Sequence, residues 1–268
     1  RRIVGIRRVG HAGTLDPLAT GVLIICLGKA TRLSEYLMDG IKEYHASVRL
    51  GIVTDTYDAE GEVVSRHLVE GLSRSDVEQA LDGFRGSIAQ VPPMYSALKH
   101  AGKPLYELAR KGKTVERRAR AVTIHKLEIL GWHSPDLDLR IVCSRGTYVR
   151  SLAHDLGQEL GVGGYLVGLR RVRVGTFAVS DAVSTEALRA RSDGWREYLI
   201  PPSVALADRP SVQVDDDTRQ RIVYGQAVAL DLSTEGDLCF AYDDQRQLVA
   251  AMVPSDTEGL WRPDKVFV

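Results

Sequence analysis

Apolar and polar positions alternate over residues 44–50, with Ala46, Val48 and Leu50 in step, and this period of two predicts a strand. Residues 54–61 are polar and read as a turn, after which Glu62-Val63-Val64 resumes extended structure. The period then lengthens. Ser73 is a good N-cap with acids in the turn after it, so a helix is predicted over residues 76–84, closed by Gly83 and Gly86. Pro92-Pro93 cannot continue a helix and sets an extended entry to Met94-Tyr95-Ser96-Ala97-Leu98. Residues 103–111 predict a short helix ending at Gly112, and residues 122–130 and 138–143 alternate as paired strands. Apolar residues at 149, 152, 153, 156 and 160 form a helical stripe over residues 148–160, ended by Gly161. Residues 172–179 predict a further strand and residues 184–198 a helix.

Strands and helices mix here without a regular βαβ period, which favours α+β over a doubly wound sheet. Pro201-Pro202 marks a change. From about Asp208 the chain is acidic and built of short alternating segments at 227–230, 238–242 and 248–252, separated by turns such as Glu235-Gly236-Asp237. Residues 1–200 are therefore expected to form the main domain and residues 208–268 a small β-rich one. No internal repeat or low-complexity segment is visible.

Composition narrows the class. The chain has 268 residues, 44% apolar and 26% charged, as in ordinary globular proteins. The longest apolar run, residues 21–27, is far shorter than the roughly 20 residues needed to cross a bilayer. The first residues, with no long apolar stretch behind them, are not expected to act as a signal peptide. It starts on Arg1 rather than Met and is read as beginning inside a longer product. Cys26, Cys143 and Cys239 fit neither a zinc spacing nor a disulfide framework, so a reduced, cytoplasmic protein is expected.

The formal net charge is zero, but it is unevenly spread. Residues 1–200 carry 29 Lys+Arg against 23 Asp+Glu, and residues 201–268 carry 6 against 12. Basic residues cluster at Arg1, Arg2, Arg7 and Arg8, again between Arg110 and Lys126, and again at Arg170, Arg171 and Arg173. Such patches can hold phosphates whatever the total charge is, although each alone also reads as a solvated face.

Several motifs fail on their spacing. Gly28-Lys29 lacks the earlier glycine and the following Ser or Thr of a phosphate loop. Tyr57 and Ala59 stand where a calcium loop needs acids. No zinc-type histidine pair or Gly-x-Ser-x-Gly elbow is present. There remains Asp16, before Pro17 in a stretch of Gly, Thr and Ala, next to an apolar segment at residues 22–27. Such a loop can present a carboxylate in a cleft. Asp before Pro is also a plain turn starter, and composition leaves both readings open.

Longer segments carry more. His11-Ala12-Gly13-Thr14-Leu15-Asp16-Pro17-Leu18-Ala19-Thr20-Gly21-Val22-Leu23 closely resembles the signature of bacterial tRNA pseudouridine-55 synthases, the TruB family. So do Lys42-Glu43-Tyr44 and the run from Leu50 through Thr54-Asp55-Thr56-Tyr57-Asp58 to Gly61. Pro92-Pro93-Met94-Tyr95-Ser96-Ala97-Leu98-Lys99, Cys143-Ser144-Arg145-Gly146-Thr147-Tyr148-Val149-Arg150 and Gly163-Gly164-Tyr165-Leu166-Val167-Gly168-Leu169-Arg170-Arg171 follow in the family's order. The resemblance runs from about residue 7 to 183 and more weakly to the end.

The resemblance implies a pseudouridine synthase fold, with a mixed, mostly antiparallel sheet, flanking helices and a catalytic cleft. It implies an isomerase acting on uridine 55 in the T loop of tRNA. Asp16 would be the catalytic aspartate, attacking uracil C6 or ribose C1′ or assisting glycosidic cleavage. Tyr44 would stack on the base and could take a proton late. Arg150 would pair with Asp16 and aim it. Leu169 would wall the uracil pocket with Tyr148 nearby, and His11 would fill the space left by the flipped nucleotide. Lys99, Lys103 and Arg171 would contact the RNA.

The reaction moves one C–N bond to a C–C bond with no redox change and no external atom, so neither cofactor nor metal is expected. The base must leave its stack, at a cost of a few kcal/mol. Residues 99–121 match an RNA-binding insertion of the stand-alone bacterial enzymes, generally missing from the guide-RNA-dependent relatives. A self-sufficient monomer is therefore expected.

Two departures stand out. The family's opening strand and helix, with its Lys-Pro pair, is absent here. The ending Gly259-Leu260-Trp261-Arg262-Pro263-Asp264-Lys265-Val266-Phe267 resembles a PUA-type RNA-binding domain, yet that tail is acidic. A tRNA-folding chaperone acting without chemistry and a guide-dependent synthase remain the alternatives.

Overall fold

The computed structural model describes residues 1–191, 194–232 and 236–268. Its strands run β1 (Val9–Ala12), β2 (Ala19–Gly21), β3 (Ile24–Leu27), β4 (Lys42–Leu50), β5 (Ile52–Thr54), β6 (Val63–Arg66), β7 (Gly86–Gln90), β8 (Lys99–His100), β9 (Lys103–Pro104), β10 (Arg120–His133), β11 (Asp136–Cys143), β12 (Gly164–Val174), β13 (Phe177–Ala178), β14 (Ser211–Gln213), β15 (Val228–Ala229), β16 (Cys239–Tyr242), β17 (Leu248–Pro254) and β18 (Leu260–Val266). The α-helices are α1 (Ser34–Met38), α2 (Arg74–Asp82), α3 (Leu105–Ala109), α4 (Val149–Glu159), α5 (Thr185–Ala190), α6 (Pro202–Ala205) and α7 (Asp216–Val223). Among the described residues, no helix is long and apolar enough to cross a membrane.

Two compact units form. One gathers residues 14–23 and 39–182, the other residues 1–13, 24–38 and 183–268. In the first, a sheet runs in the order β13-β12-β4-β11-β10-β7, with β2 added in parallel beside β12. All other neighbours on that path are antiparallel. The alternation of β4 decides which face is buried. Ala46, Val48 and Leu50 join Leu137, Leu139, Ile141, Leu166 and Leu169 in one core, against Val77 and Leu81 of α2 and Val149, Leu152, Ala153 and Leu156 of α4. The other face of the sheet is polar, where Arg49 pairs with Asp136 at 2.7 Å and Arg140 with Glu43 at 2.7 Å.

α2 begins as expected, at a capping box. The Ser73 hydroxyl accepts from the Asp76 N–H, and the Asp76 carboxylate accepts from the Ser73 N–H. α4 lies unusually close to β12, because Gly157 has no side chain. A Cβ there would stand 2.1 Å from the backbone nitrogen of Gly164. This contact fixes the height of α4 over the sheet, and with it the position of Arg150.

The second unit contains the antiparallel pair β1-β3 and a five-stranded sheet in the order β14-β16-β17-β18-β15. Val214, Ile222, Val228, Cys239, Ala241, Val249, Ala250 and Met252 form its core. Residues 24–38 join it through α1. The Tyr36 hydroxyl donates to Asp264 at 2.9 Å, and the Tyr36 ring meets Phe240 edge-on at 5.2 Å. The Arg209 guanidinium donates to the Tyr36 carbonyl at 2.9 Å. The two units therefore cut across chain order, whereas the sequence pattern sets residues 208–268 apart by themselves. Cys26, Cys143 and Cys239 are all buried free thiols.

Three elements differ from the pattern-based reading. The apolar segment at residues 22–27 is divided. Val22 bonds the backbone of Arg171 in one unit, and β3 pairs with β1 in the other. The strand expected at residues 172–179 is instead the end of β12, which runs from Gly164 to Val174, and the short β13 paired back on it; shifts in register at Leu166/Gly168 and Arg171/Arg173 break the period of two in β12. The helix expected over residues 184–198 is α5 followed by a 3-10 turn at Trp195–Tyr198, with residues 192 and 193 outside the described residues. Glu235 of the expected turn also lies outside them.

Candidate active site

Asp16 sits in the turn just before β2, where its carbonyl accepts from the Ala19 N–H at 2.9 Å. β2 then lies parallel to β12, Ala19 opposite Leu169 and Gly21 opposite Arg171. Gly21 is required at this join. Its φ is +99°, and a Cβ would stand 2.1 Å from the Arg171 carbonyl oxygen. The Arg171 guanidinium closes the same join, its Nε donating to the Val22 carbonyl at 2.8 Å. The turn carrying Asp16 is thus fixed to β12.

Arg150 reaches the same turn from the first coil of α4. Its Nε donates to Asp16 Oδ2 at 3.0 Å and its Nη2 to Asp16 Oδ1 at 2.9 Å, a two-bonded fork. The remaining donors are also used. Nη2 meets the Tyr95 carbonyl at 2.8 Å, and Nη1 meets the Thr56 carbonyl at 3.3 Å and Asp58 Oδ2 at 3.5 Å. Asp58 is oriented in turn by the Thr56 hydroxyl at 2.6 Å and the Glu60 N–H at 3.0 Å. The Arg150 side chain is 5% exposed and that of Asp16 33% exposed. The cation is therefore locked inside, and the carboxylate it aims remains reachable.

Two tyrosines, Tyr44 and Tyr148, lie within electrostatic reach of Asp16. Tyr44, Leu18 and Ala19 pack against the core that contains Leu169. Burial pushes the Tyr44 phenol up to about 12, the Arg171 guanidinium pulls it the other way, and the nearby Asp16 charge adds to the rise. Tyr44 is thus a neutral phenol at physiological pH, suited to stacking and hydrogen bonding. Burial also raises the Tyr148 phenol, with Arg150 and Asp16 both close enough to act on it. Buried Gln90 fixes Tyr148 from behind, accepting its N–H at 2.7 Å and donating to its carbonyl at 3.0 Å. An open hollow of about 460 Å³, lined by Leu18, Thr20, His45, Asp138, Leu169 and Arg170 among others, holds neither Asp16, Tyr44 nor Arg150.

The profile of the TruB family pseudouridylate synthase N-terminal domain matches residues 1–149, and that of the tRNA pseudouridylate synthase B C-terminal domain matches residues 150–206. The chain belongs to the TruB family. It is 47% identical over 232 residues to the tRNA pseudouridine synthase B of Chromohalobacter salexigens, which covers 86% of this chain and 76% of the relative. It is 44% identical over 270 residues to that of Dehalococcoides mccartyi, covering 100% of this chain and 90% of the relative. A solved Cbf5-Nop10-Gar1 complex contains a chain matching at a TM-score of 0.76 and 28% identity, over 100% of this chain and 78% of that one. An H/ACA RNP bound to a substrate RNA containing 2′-deoxyuridine shares the fold at a TM-score of 0.73 and 24% identity, with 100% and 78% coverage. The pseudouridine synthase fold expected from the sequence is the fold observed, with its β-rich C-terminal part.

Of the TruB residues singled out from sequence, the structure brings Asp16, Arg150, Tyr44, Tyr148 and Leu169 together in one unit. Lys99 and Lys103 are exposed on the small β8-β9 hairpin. His11 is exposed on β1, in the other unit. Arg171 lies on β12, opposite Tyr44 of β4. It is 2% exposed and supports the Val22 backbone, because its strand position faces the buried side of the sheet. Sequence reasoning assigned no role to Asp58, Gln90 or the Tyr95 carbonyl. Asp58 lies inside the TruB-like segment at residues 50–61, but an acid in a polar turn carries no sign of its distant arginine.

One further carboxyl on α4 lies outside this network. Burial pushes Asp155 up from 3.8 to about 6. Its ionisation at neutral pH therefore opposes folding, and that penalty disappears below the unfolded value, where both states are protonated. Asp155→Asn is expected to raise Tm by about 2 to 4 °C at about pH 7.5 and to leave it unchanged near pH 3.5. Thermal melts at the two pH values check this, and a gain that persists in acid would assign the effect to something other than charge.

Proposed function

We propose that the chain is a stand-alone tRNA pseudouridine synthase that isomerises uridine 55 of the T loop. The bidentate Arg150–Asp16 pair carries this reading, because it presents one aimed, reachable carboxylate beside Tyr44 and an apolar floor. In the reaction the N1–C1′ bond of uridine breaks, the uracil turns, and a C5–C1′ bond forms. The C5 proton is lost and N1 gains one, so atoms and electrons balance within the substrate. Asp16 acts at uracil C6 or ribose C1′, and Arg150 holds it in line. Tyr44 stacks on the turning base, while Leu169 and Tyr148 confine it until the new bond closes.

Residues 1–200 would be the catalytic domain, with residues 99–121 as an RNA-binding insertion that carries Lys99 and Lys103. Residues 208–268 would be a PUA-like domain. His11 would enter the T loop, and Arg171 would act through the backbone it supports. The protein would work as a cytoplasmic monomer on the T arm. Purified protein given unmodified tRNA, with no guide RNA, is expected to form pseudouridine at position 55 alone. Mapping by carbodiimide-dependent primer extension checks this, and modification that requires an added guide RNA would overturn the stand-alone reading.

A further inference from the structure

The loop that steadies Arg150 is held in a conformation its own residues resist. Tyr57 has a φ of 65°, in the left-handed region that bulky residues rarely enter. Its N–H donates to the Thr54 carbonyl at 3.3 Å, and its carbonyl accepts from the Leu166 N–H at 3.0 Å. Its ring lies flat on His154, with centroids 3.8 Å apart and planes 11° from parallel. His154 follows Arg150 by one helical turn on α4, so the two side chains share a face. That face grips the loop twice. Arg150 takes the Thr56 carbonyl and the Asp58 carboxylate, and His154 takes the tyrosine between them. Burial lowers the imidazole pKa, and its Nδ1 is buried without a partner. The group Tyr57 meets is thus a neutral flat ring.

We propose that His154 is a positioning residue whose ring holds Tyr57 in its left-handed conformation, sets Thr56 and Asp58 against Arg150, and so aims Asp16. Its part in turnover rests on Asp16 being the catalytic group. His154→Ala is expected to slow single-turnover pseudouridine formation about tenfold at saturating tRNA, with tRNA affinity unchanged within about twofold. His154→Phe keeps a flat ring without a titratable nitrogen and is expected to stay within about twofold of the parent rate. Tyr57→Gly adopts the left-handed conformation unaided, so adding His154→Ala to it is expected to cost nothing further.

A phenylalanine variant as slow as the alanine variant would assign imidazole chemistry instead. An alanine variant at the parent rate would remove the role. A second readout needs no turnover. By nitrogen-15 NMR of the free protein, solvent exchange of the Arg150 Nε–H is expected to be about tenfold faster in His154→Ala and unchanged in His154→Phe. Unchanged exchange in His154→Ala overturns the proposal even if the parent forms no pseudouridine. A parent that forms none, with exchange shifted as stated, overturns only the assigned reaction.

Discussion

Asp16→Asn is expected to abolish pseudouridine formation, by at least about 10⁴-fold in single turnover, while tRNA affinity stays within about twofold. The substitution keeps the size and planarity of the side chain. It removes the negative charge and turns one acceptor into an NH₂ donor. That donor then faces the Arg150 fork, which itself has only N–H groups to offer, so one of the two bonds to Asp16 is lost. The Asp16 side chain is partly exposed, and the Arg150 side chain stays anchored by Thr56, Tyr95 and Asp58. The fold is therefore expected to survive, with circular dichroism and Tm close to the parent. Pseudouridine mapping with filter binding on the same preparations separates catalysis from recognition. Retained modification would remove Asp16 from the chemistry, and loss of binding in step with modification would make it a recognition residue.

Much of this site can be read from residue patterns, but unevenly. α2 and α4 are legible because local rules decide them: the Ser73–Asp76 capping box for one, the stripe through Leu152 and Leu156 for the other. β4 is legible because one of its faces is buried and the other is polar. β12 is only half legible. Its bulges break the alternation, and buried Arg171 looks in the sequence like part of a surface patch. Asp16 gains meaning only from the longer TruB segments, since Asp-Pro by itself is a turn. Asp58 and Tyr57 stay silent because their roles depend on α4, far along the chain, and on a backbone angle that no pattern announces. The grouping of α1 with the C-terminal sheet is equally hidden. An amphipathic segment shows that it will bury a face, not which sheet will cover it.

Arg150→Met is expected to damage stability and activity by separate routes, and a second substitution should part them. Arg150 and Asp58 are 4% and 2% exposed. Removing the cation leaves the Asp58 carboxylate buried without its partner, and leaves the Thr56 and Tyr95 carbonyls without the donors they now have. Breaking a buried pair from one side costs about 3–5 kcal/mol, whereas replacing both members by neutral groups can be close to neutral. Arg150→Met alone should therefore lower the urea midpoint sharply and reduce turnover by at least about 10³-fold. Adding Asp58→Asn should recover most of the lost stability, because no unpaired charge then remains in the interior. Turnover should not return, since Asp16 would still lack the fork that aims it. Arg150→Lys supplies the third case. It keeps the charge but offers a single ammonium where two parallel bonds are needed, so it should hold stability better than Met and still turn over poorly. Recovery of turnover in the double variant would show that Asp16 does not depend on Arg150 for its geometry. An unchanged midpoint in Arg150→Met would show that Asp58 finds another partner.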